Sequence, residues 1–441
     1  MKKSFLSVLL ACCIILGTVS LSGCFSEWQG GQQNSVPQPT ATQPDEEEDD
    51  YTELTADFEG KSEYYEPIDI TVGYDNLESE DQRTCYNEID NCVNSISDEE
   101  EKGVYPCKLI KLDGVVLTEA ELRLVISAYK LDHPLVFWLT ESFGYSNTTG
   151  LTALQLYSYE KPQTLDEKQK KLYGKINKFL DSVDNGLDEF DRELLSHDRV
   201  IKSCEYADSV KSTTDDYLAF TMYGVLVNGS AVCEGYAKCF EYFLARLGIE
   251  SFTLTGMGSK ELHMWNAVKV DGNWYYVDPS WDDSKDYSKY DYFNITTEQL
   301  LNDHTLSKLF DEYSSDEING EGSGKAANFN ILTPQCDSIE NNYYVKKCPH
   351  FTDLYSYNDE DIVNALYQTA NKGEGYFHIY IDPMYLEYNT AVDQLFSTGD
   401  QLFFSYIDSV NEMSPAYIID RSNVYIVKKE SLNVVTAKIN Y

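Results

Sequence analysis

The sequence predicts an α+β fold, and two neighbouring segments of the chain carry that prediction. Residues 229–248 place aromatic and aliphatic side chains at helical spacing and end at Gly248, which is typical of a buried helix. Residues 263–278 contain two alternating apolar runs on either side of Asp271-Gly272, the strongest short signal of a β-hairpin. Helical and strand-like patterns both occur on either side of these segments, so the rest of the chain is also expected to mix helices and strands.

Composition and charge exclude several classes of protein. The chain has 441 residues, enough for two to four domains with buried cores. Its 34 Lys and Arg against 74 Asp and Glu give a formal charge of −40, which phosphate backbones and anionic lipid faces would repel. Hydrophobic residues at 42% and aromatic residues at 13% are too abundant for a disordered acidic protein. We therefore expect a mostly folded protein that does not bind nucleic acid.

The N-terminus is typical of an exported protein. Two lysines follow the initiator methionine, and an apolar run then covers residues 5–21. The run ends in Leu21-Ser22-Gly23-Cys24, which resembles the bacterial lipobox, whose Cys becomes the lipidated first residue. This resemblance implies a signal peptide at 1–23 and an extracytoplasmic protein held to the membrane only through lipid on Cys24. An ordinary secretory signal or an uncleaved anchor is the alternative.

Composition divides the remaining chain into five segments. They are an acidic tether at 24–61, an N-terminal α/β extension at 62–189, a core at 190–310, a linker at 311–326 and a small strand-rich C-terminal domain at 327–441. The tether contains six consecutive acidic residues at 45–50, together with Gly, Pro and Gln, and cannot collapse into a core. The linker contains Gly-Glu-Gly-Ser-Gly-Lys at 320–325. This stretch lacks the glycine spacing of a phosphate-binding loop and has Ala326 where Ser or Thr should follow, so we interpret it as a flexible joint.

Individual elements follow from capping residues, turns and periodicity. Thr118 and Glu121 form a capping box, which predicts a helix from there to about Leu131. The predicted strands before the core are 135–139 and 151–159, and two helices are predicted across 165–204. In the C-terminal domain the predicted strands are 377–381, 401–407, 424–427 and 434–439, with one helix at 359–369.

Cys233 is the candidate nucleophile. A turn at Gly229-Ser230 would place it in the first turn of the predicted buried helix, where unpaired N–H groups and the positive end of the helix dipole favour the thiolate. Cys239 lies six positions further on and points elsewhere, so it is expected in the core. The chain has no Cys-x-x-Cys motif, and pairing among the eight cysteines after Cys24 stays open for an exported protein.

His263 and Asp278 are the candidate base and its orienting carboxylate. If Val270 pairs with Asn273 across a two-residue turn, these two side chains become diagonal neighbours on one face of the sheet. A three-residue turn would place them on opposite faces. On one face, the carboxylate would fix the imidazole tautomer and stabilise the imidazolium formed when the thiol gives up its proton.

Three blocks around these residues carry a family resemblance. They read Gly-Ser-Ala-Val-Cys-Glu-Gly-Tyr-Ala at 229–237, His-Met-Trp-Asn at 263–266 and Val-Asp-Pro-Ser-Trp-Asp-Asp at 277–283. In this order and at these separations they resemble the transglutaminase-like superfamily, a branch of the papain-type fold. The resemblance implies a papain-like core at 190–310 with Cys233 as nucleophile, His263 as base and Asp278 as orienting acid. Met264 departs from the family, which more often has Ala there.

The resemblance also reaches beyond the core. Asp132-His133-Pro134 resembles an N-terminal extension of bacterial members, and Asn302-Asp303-His304 resembles a segment just after the core. His197 and His304 are expected to be structural, because the triad already contains its base. Asp282, Asp283, Asp286 and Asp291 lack the spacing of a calcium loop and are expected to form a solvated surface.

These observations predict a cysteine-dependent acyl-transfer enzyme that acts on peptide or isopeptide bonds through a thioester. We expect hydrolysis to be favoured, a protein or peptide substrate that contains Lys, no cofactor or metal, and a monomer. A cross-linking transglutaminase is the first alternative. A non-catalytic binding or scaffold module that keeps the fold is the second, and the presence of all three triad residues argues against it.

Overall fold

The computed structural model describes residues 70–148, 150–259, 261–284, 289–306, 333–398 and 401–441. These residues form two compact units. The first contains the described residues up to Asp271 and those between Asp303 and Pro334. The second contains Gly272–Asn302 and the described residues from Gln335 to Tyr441.

The first unit mixes helices and strands. Its helices are α1 (Val72–Asp75), α2 (Glu80–Cys92), α3 (Glu119–Asp132), α4 (Pro162–Leu180), α5 (Glu189–Ser203), α6 (Thr213–Asp216) and α7 (Cys233–Arg246). Its strands are β1 (Tyr105–Pro106), β2 (Ile110–Asp113), β3 (Leu139–Thr148), β4 (Leu151–Ser158), β5 (Glu205–Tyr206), β6 (Ser230–Ala231), β7 (Ser251–Gly258), β8 (Glu261–Val270) and β10 (His304–Leu306). Strand β9 belongs to the second unit and is described with it.

An antiparallel sheet organises the N-terminal part of this unit. β4 pairs with β3 on one side and with β1 and β2 on the other. The side chains of β4 alternate between half-buried and buried positions, as expected for a strand with one face on a core. Helix α3 begins at the predicted capping box, in which Thr118 Oγ1 accepts from the Glu121 N–H and the Glu121 carboxylate accepts from the Thr118 N–H. The predicted helix is therefore confirmed.

A second sheet supports the predicted core helix. β7 lies between β10 and β8, and both pairs are antiparallel. Helix α7 packs against β7 and β8 on one side and against α5 on another. Asn266 of β8 donates from Nδ2 to the Ala237 carbonyl oxygen of α7 at 3.0 Å, which ties the strand to the helix.

The second unit begins with β9 (Asn273–Val277) and α8 (Thr297–Leu300). It continues with α9 (Tyr343–Lys347), β11 (His350–Phe351), α10 (Glu360–Lys372), β12 (Tyr376–Ile381), α11 (Tyr388–Phe396), α12 (Leu402–Glu412), β13 (Tyr425–Lys429) and β14 (Val434–Lys438). The last four strands form one sheet in the order β11-β12-β14-β13, with β11 parallel to β12 and the other pairs antiparallel. Side chains of α10, α11 and α12 pack with those of β12 and β14 in one hydrophobic core.

The structure corrects two element predictions and adds a helix. The segment 401–407 is not a strand but the beginning of helix α12. Its buried side chains are Leu402, Phe403, Tyr406, Ile407 and Val410, which is helical spacing that a seven-residue window cannot separate from alternation. Residues 135–138 precede the strand, which begins at Leu139. Helix α11 was not predicted from the sequence. The α+β class and the strands predicted around 377–381, 424–427 and 434–439 are confirmed.

The predicted signal peptide, the lipidation residue Cys24 and the tether up to residue 61 lie outside the described residues, as does the predicted linker at 311–326. Within the part of the chain that the structure describes, no helix combines the length and apolar character needed to cross a membrane.

Candidate active site

Cys233 is the first residue of helix α7 and is fully buried. The turn predicted just before it is present, because Gly229 adopts a φ of 72° and residues 230–231 then pair with β5. Val232 occupies the N-cap position in an extended conformation and caps no N–H with its side chain. Val232 therefore does not neutralise the positive end of the α7 dipole, and this end of the helix favours negative charge.

Gly235 has no side chain, which allows the first turn of α7 to pack closely against the preceding backbone. A Cβ at this position would lie 2.8 Å from the Ala219 carbonyl oxygen and 3.0 Å from the Ala231 Cβ. Ala219 belongs to a small buried cluster with Phe220 and Val232 directly before the helix. Gly235 thus fixes how closely the first turn of α7 approaches the preceding backbone.

His263 lies on β8 and is 5% exposed. Its ring lies 6.1 Å from the Trp265 ring, nearly parallel to it, and 5.6 Å from the His304 ring. Gly256 faces His263 on β7, and its lack of a side chain gives room to Trp265 and to the β10 backbone. His304 Nδ1 in turn lies 2.7 Å from Asp303 Oδ1. The imidazole of His263 is therefore set in a rigid aromatic environment within the first unit.

Asp278 belongs to the second unit and directly follows β9. It is 1% exposed, and its Oδ1 accepts from the Ser280 N–H at 3.0 Å, the Ser280 Oγ at 2.8 Å and the Trp281 N–H at 3.1 Å. These three donors lower the cost of burying the carboxylate and hold its orientation.

The length of the turn between β8 and β9 decides which of the two predicted arrangements of His263 and Asp278 applies. Asp271 has a φ of 50° and Gly272 a φ of 83°, and two consecutive positive values are what a type I′ turn requires. A two-residue turn is the case in which His263 and Asp278 were predicted to share a face. The assignment of Cys233, His263 and Asp278 as a triad stays a prediction.

The expectation of a solvated acidic loop is wrong for Asp282. This residue is fully buried, and its Oδ1 accepts from the Tyr292 N–H at 2.9 Å. Asp291 is likewise engaged, because its Oδ1 contacts both Lys429 Nζ and the Tyr344 hydroxyl. These two carboxylates accept bonds from groups within the second unit. The number and spacing of acidic residues in a sequence do not distinguish such bonded carboxylates from solvent-exposed ones. Asp286 lies outside the described residues.

The remaining histidine prediction concerns His197. It is fully buried on α5, with its ring edge-on to Phe240 of α7 at 6.2 Å. This packing between the two helices agrees with a structural role.

Most other cysteines lie in surroundings that suppress thiolate formation. Burial raises the pKa of Cys85, Cys336 and Cys348 to about 12 and holds the pKa of Cys92, Cys107 and Cys239 above the usual range. None of the eight cysteines in the described part of the chain forms a disulfide. These six thiols are therefore protonated and weakly reactive at neutral pH.

Sequence reasoning missed two largely buried ion pairs of the first unit. Lys238 Nζ donates to Glu234 Oε1 at 2.6 Å, and Lys130 Nζ donates to Glu141 Oε1 at 2.7 Å. The first pair could have been predicted, because Glu and Lys four residues apart share one face of a helix. The second pair joins a helix to a strand and has no local sequence signal.

Comparison with known proteins places the candidate residues in one matched region. Residues 177–279 match the family model of the transglutaminase-like superfamily, and this range includes Cys233, His263 and Asp278. No curated protein matches the chain. A solved structure of a TGase is 14% identical with a TM-score of 0.23, covering 52% of this chain and 60% of its own. A structure described as a cysteine protease from Cytophaga hutchinsonii is 12% identical with a TM-score of 0.20, covering 32% of this chain and 61% of its own. The chain thus spans about three fifths of the length of both structures.

Proposed function

Because residues 177–279 form a transglutaminase-like domain with a papain-type fold, we propose that this chain is a cysteine-dependent acyl-transfer enzyme acting on peptide or isopeptide bonds. Cys233 is the nucleophile, His263 the general base and Asp278 the carboxylate that orients the base. The observation that carries the proposal is the position of Cys233 as the first residue of helix α7, directly after a Gly229 turn and the N-cap Val232. Such a position favours the thiolate, the reactive form of cysteine.

The first half of the reaction forms a thioester. His263 takes the proton of the Cys233 thiol, and the thiolate attacks the carbonyl carbon of the substrate amide. The tetrahedral intermediate collapses, its C–N bond breaks, and the imidazolium gives its proton to the departing amine. The backbone N–H of Cys233 is a donor to the developing oxyanion, because the start of a helix presents N–H groups where negative charge accumulates.

The second half releases the acyl group. Water, deprotonated by His263, attacks the thioester carbonyl, and the products are a carboxylic acid and the regenerated thiol. A primary amine in place of water would give a new amide and make the protein a cross-linker. We favour water, because hydrolysis needs only an open cleft, whereas a cross-linker must also exclude water and bind an amine.

A peptide library assay tests the reaction. The full-length protein in detergent is incubated with Lys-containing peptides, with and without a lysine-like primary amine, and products are identified by mass. We expect products that gain the mass of water, and none with a Cys233→Ala variant. A large excess of amine adducts would establish transamidation instead. Unchanged turnover by the Cys233→Ala variant would contradict the proposal.

We extend the proposal to location. Leu21-Ser22-Gly23-Cys24 ends the apolar N-terminal run, and lipid on Cys24 would hold the enzyme on the outer side of a bacterial membrane. Fractionation of a Cys24→Ala variant tests this. The variant should move to the soluble or secreted fraction, and persistent extraction by detergent alone would contradict lipidation.

A further inference from the structure

Two imidazoles lie on the same face of the sheet that supports helix α7. In an antiparallel sheet, directly paired residues share a face, and so do residues two apart on one strand. His263 of β8 pairs with Gly256 of β7, and His304 of β10 pairs with Gly258 of β7. His263 and His304 therefore project from one face, on either side of β7.

Glycine on the central strand lets the two rings approach each other. Neither Gly256 nor Gly258 places a side chain between them on that face. The ring centroids of His263 and His304 are 5.6 Å apart, and a nitrogen of one ring lies within 4.8 Å of a nitrogen of the other. A Cβ on Gly256 would clash with the Thr305 carbonyl oxygen of β10. The sequence of β7 thus allows β10 to bring a second imidazole to the proposed base.

Trp265 completes this packing. Its ring is nearly parallel to that of His263 at 6.1 Å and edge-on to that of His304 at 5.1 Å. All three side chains are buried. Because close packing leaves buried rings few orientations, His304 and Trp265 together restrict the orientation of His263.

A carboxylate holds His304 in place. Asp303 Oδ1 lies 2.7 Å from His304 Nδ1, and the side chain of Asp303 is 34% exposed while that of His304 is fully buried. Since a carboxylate only accepts, the contact places a proton on Nδ1 and leaves Nε2 of the neutral ring as an acceptor. The pair then carries a net negative charge, which favours an imidazolium over a neutral imidazole nearby. An apolar side chain would fill the same space without this effect.

We propose that His304, held by Asp303, is a positioning residue for His263. It restricts the His263 ring, and the pair stabilises the imidazolium that forms when His263 takes the proton of Cys233. This inference rests on the proposed function, since it assigns supporting residues to the same site. It goes beyond a purely structural role, because a side chain that only filled space would not change the reactivity of Cys233.

The first unit contains a matched pair for comparison. His197 of α5 is also fully buried beside an aspartate, with Nδ1 3.7 Å from Asp198 Oδ1. Its ring packs edge-on to Phe240, and the proposed reaction assigns it no step. Substitutions of His197 and Asp198 therefore measure the cost of disturbing a buried imidazole and its neighbouring carboxylate.

Alkylation of Cys233 in the full-length protein tests the proposal without any substrate. The protein is treated with iodoacetamide at a fixed neutral pH, and labelling of each cysteine is quantified by digestion and mass. Because a less stable imidazolium leaves less thiolate, Asp303→Asn and His304→Gln should each slow labelling of Cys233 at least fivefold. Asp198→Asn and His197→Gln should change the rate less than about twofold. A wild-type rate in Asp303→Asn, or equal slowing in both pairs of variants, would overturn the proposal.

A His263→Ala background separates positioning from general disturbance. A residue that acts through His263 has no further effect once the imidazole is removed, so His304→Gln should not slow labelling beyond His263→Ala alone. A further fivefold loss in the double variant would contradict the assignment. If His304→Gln does not fold, Asp303→Asn takes its place in the double variant, because that side chain is a third exposed.

Peptide turnover gives a second readout. In Asp303→Asn, kcat should fall at least fivefold while KM stays within about twofold, because the pair acts on the base and not on the bound substrate. A raised KM with unchanged kcat would contradict a positioning role. Absence of turnover in the wild type would count against acyl transfer alone, since the alkylation rates need no substrate and stay readable.

Discussion

Asp132 is a buried carboxyl group that holds the N-terminal segment of the described chain. Its Oδ1 accepts from the Gly73 N–H at 2.6 Å, and its Oδ2 accepts from the Tyr74 N–H and the Tyr86 hydroxyl, both at 2.8 Å. It is 1% exposed, and burial raises its pKa from 3.8 to about 7, against the opposing effect of these donors. Asp132 therefore links helices α1 and α2 to the end of α3.

An Asp132→Asn variant should be less stable than the wild type, by about 1–3 kcal/mol at pH 5, because NH₂ replaces one accepting oxygen. The raised pKa means that the stability contributed by Asp132 is fully present below about pH 4 and is lost as pH rises through about 7. The difference between the two proteins should therefore shrink from pH 5 to pH 8. Urea unfolding at both values measures it, and a difference that grows with pH would contradict this account.

The candidate residues Cys233 and His263 could be singled out from the sequence because their signals are local. Cys233 follows a glycine turn and begins a periodic helix, and Asp271-Gly272 marks the turn that follows His263. The neighbours of those residues were not open to prediction. His304 comes near His263 through the pairing of β10 with β7, and Glu141 meets Lys130 across helix and strand. Contacts between distant segments leave no periodic trace in a single sequence.

At the scale of elements, the start of α7 depends on glycine. Gly235→Ala would bring a methyl group within 2.8 Å of the Ala219 carbonyl oxygen, so the helix start must move. We expect a loss of about 1–3 kcal/mol in stability, as for other overpacked sites, together with a large fall in turnover.

Gly174→Ala is the matched control. Gly174 lies within α4, where an added Cβ meets nothing within 4 Å. This variant should gain about 0.5–1 kcal/mol, because alanine loses less backbone freedom in a helix than glycine does. Denaturant unfolding and peptide turnover are measured for both. Equal behaviour of the two variants would show that the backbone contact at Gly235 does not position Cys233.

Helix ends were predicted better than short apolar runs. Gly248 adopts a φ of 76° directly after α7 and ends the helix as its position in the sequence indicates. The 401–407 run resembles an alternating strand over seven residues, and only packing against the core of the second unit shows that it is the start of a helix. Local periodicity identifies a long amphipathic element but does not distinguish helix from strand in a short, mostly apolar run.

At the scale of the whole molecule, a formal charge of −40 should guide which substrates approach. Chains that carry Lys or Arg are attracted and acidic chains repelled, and salt weakens both effects as the screening length falls to about 8 Å at physiological ionic strength. We predict that hydrolysis of a basic peptide slows with added salt, while that of an acidic peptide of equal length rises. The measurement is kcat/KM against ionic strength, and a preference that does not change with salt would contradict it.

Acylation of Cys233 is the step on which the proposed reaction depends. A substrate peptide with an activated acyl group is mixed with the full-length protein, quenched in acid, and the protein is digested and mapped by mass. We predict one acyl adduct, on the peptide that contains Cys233. The matched control is Cys239→Ala, which should give the same adduct. Cys239 lies on the same helix and is equally buried, and burial raises its pKa well above the usual range. An adduct on any other cysteine, or turnover in Cys233→Ala equal to the wild type, would contradict the account.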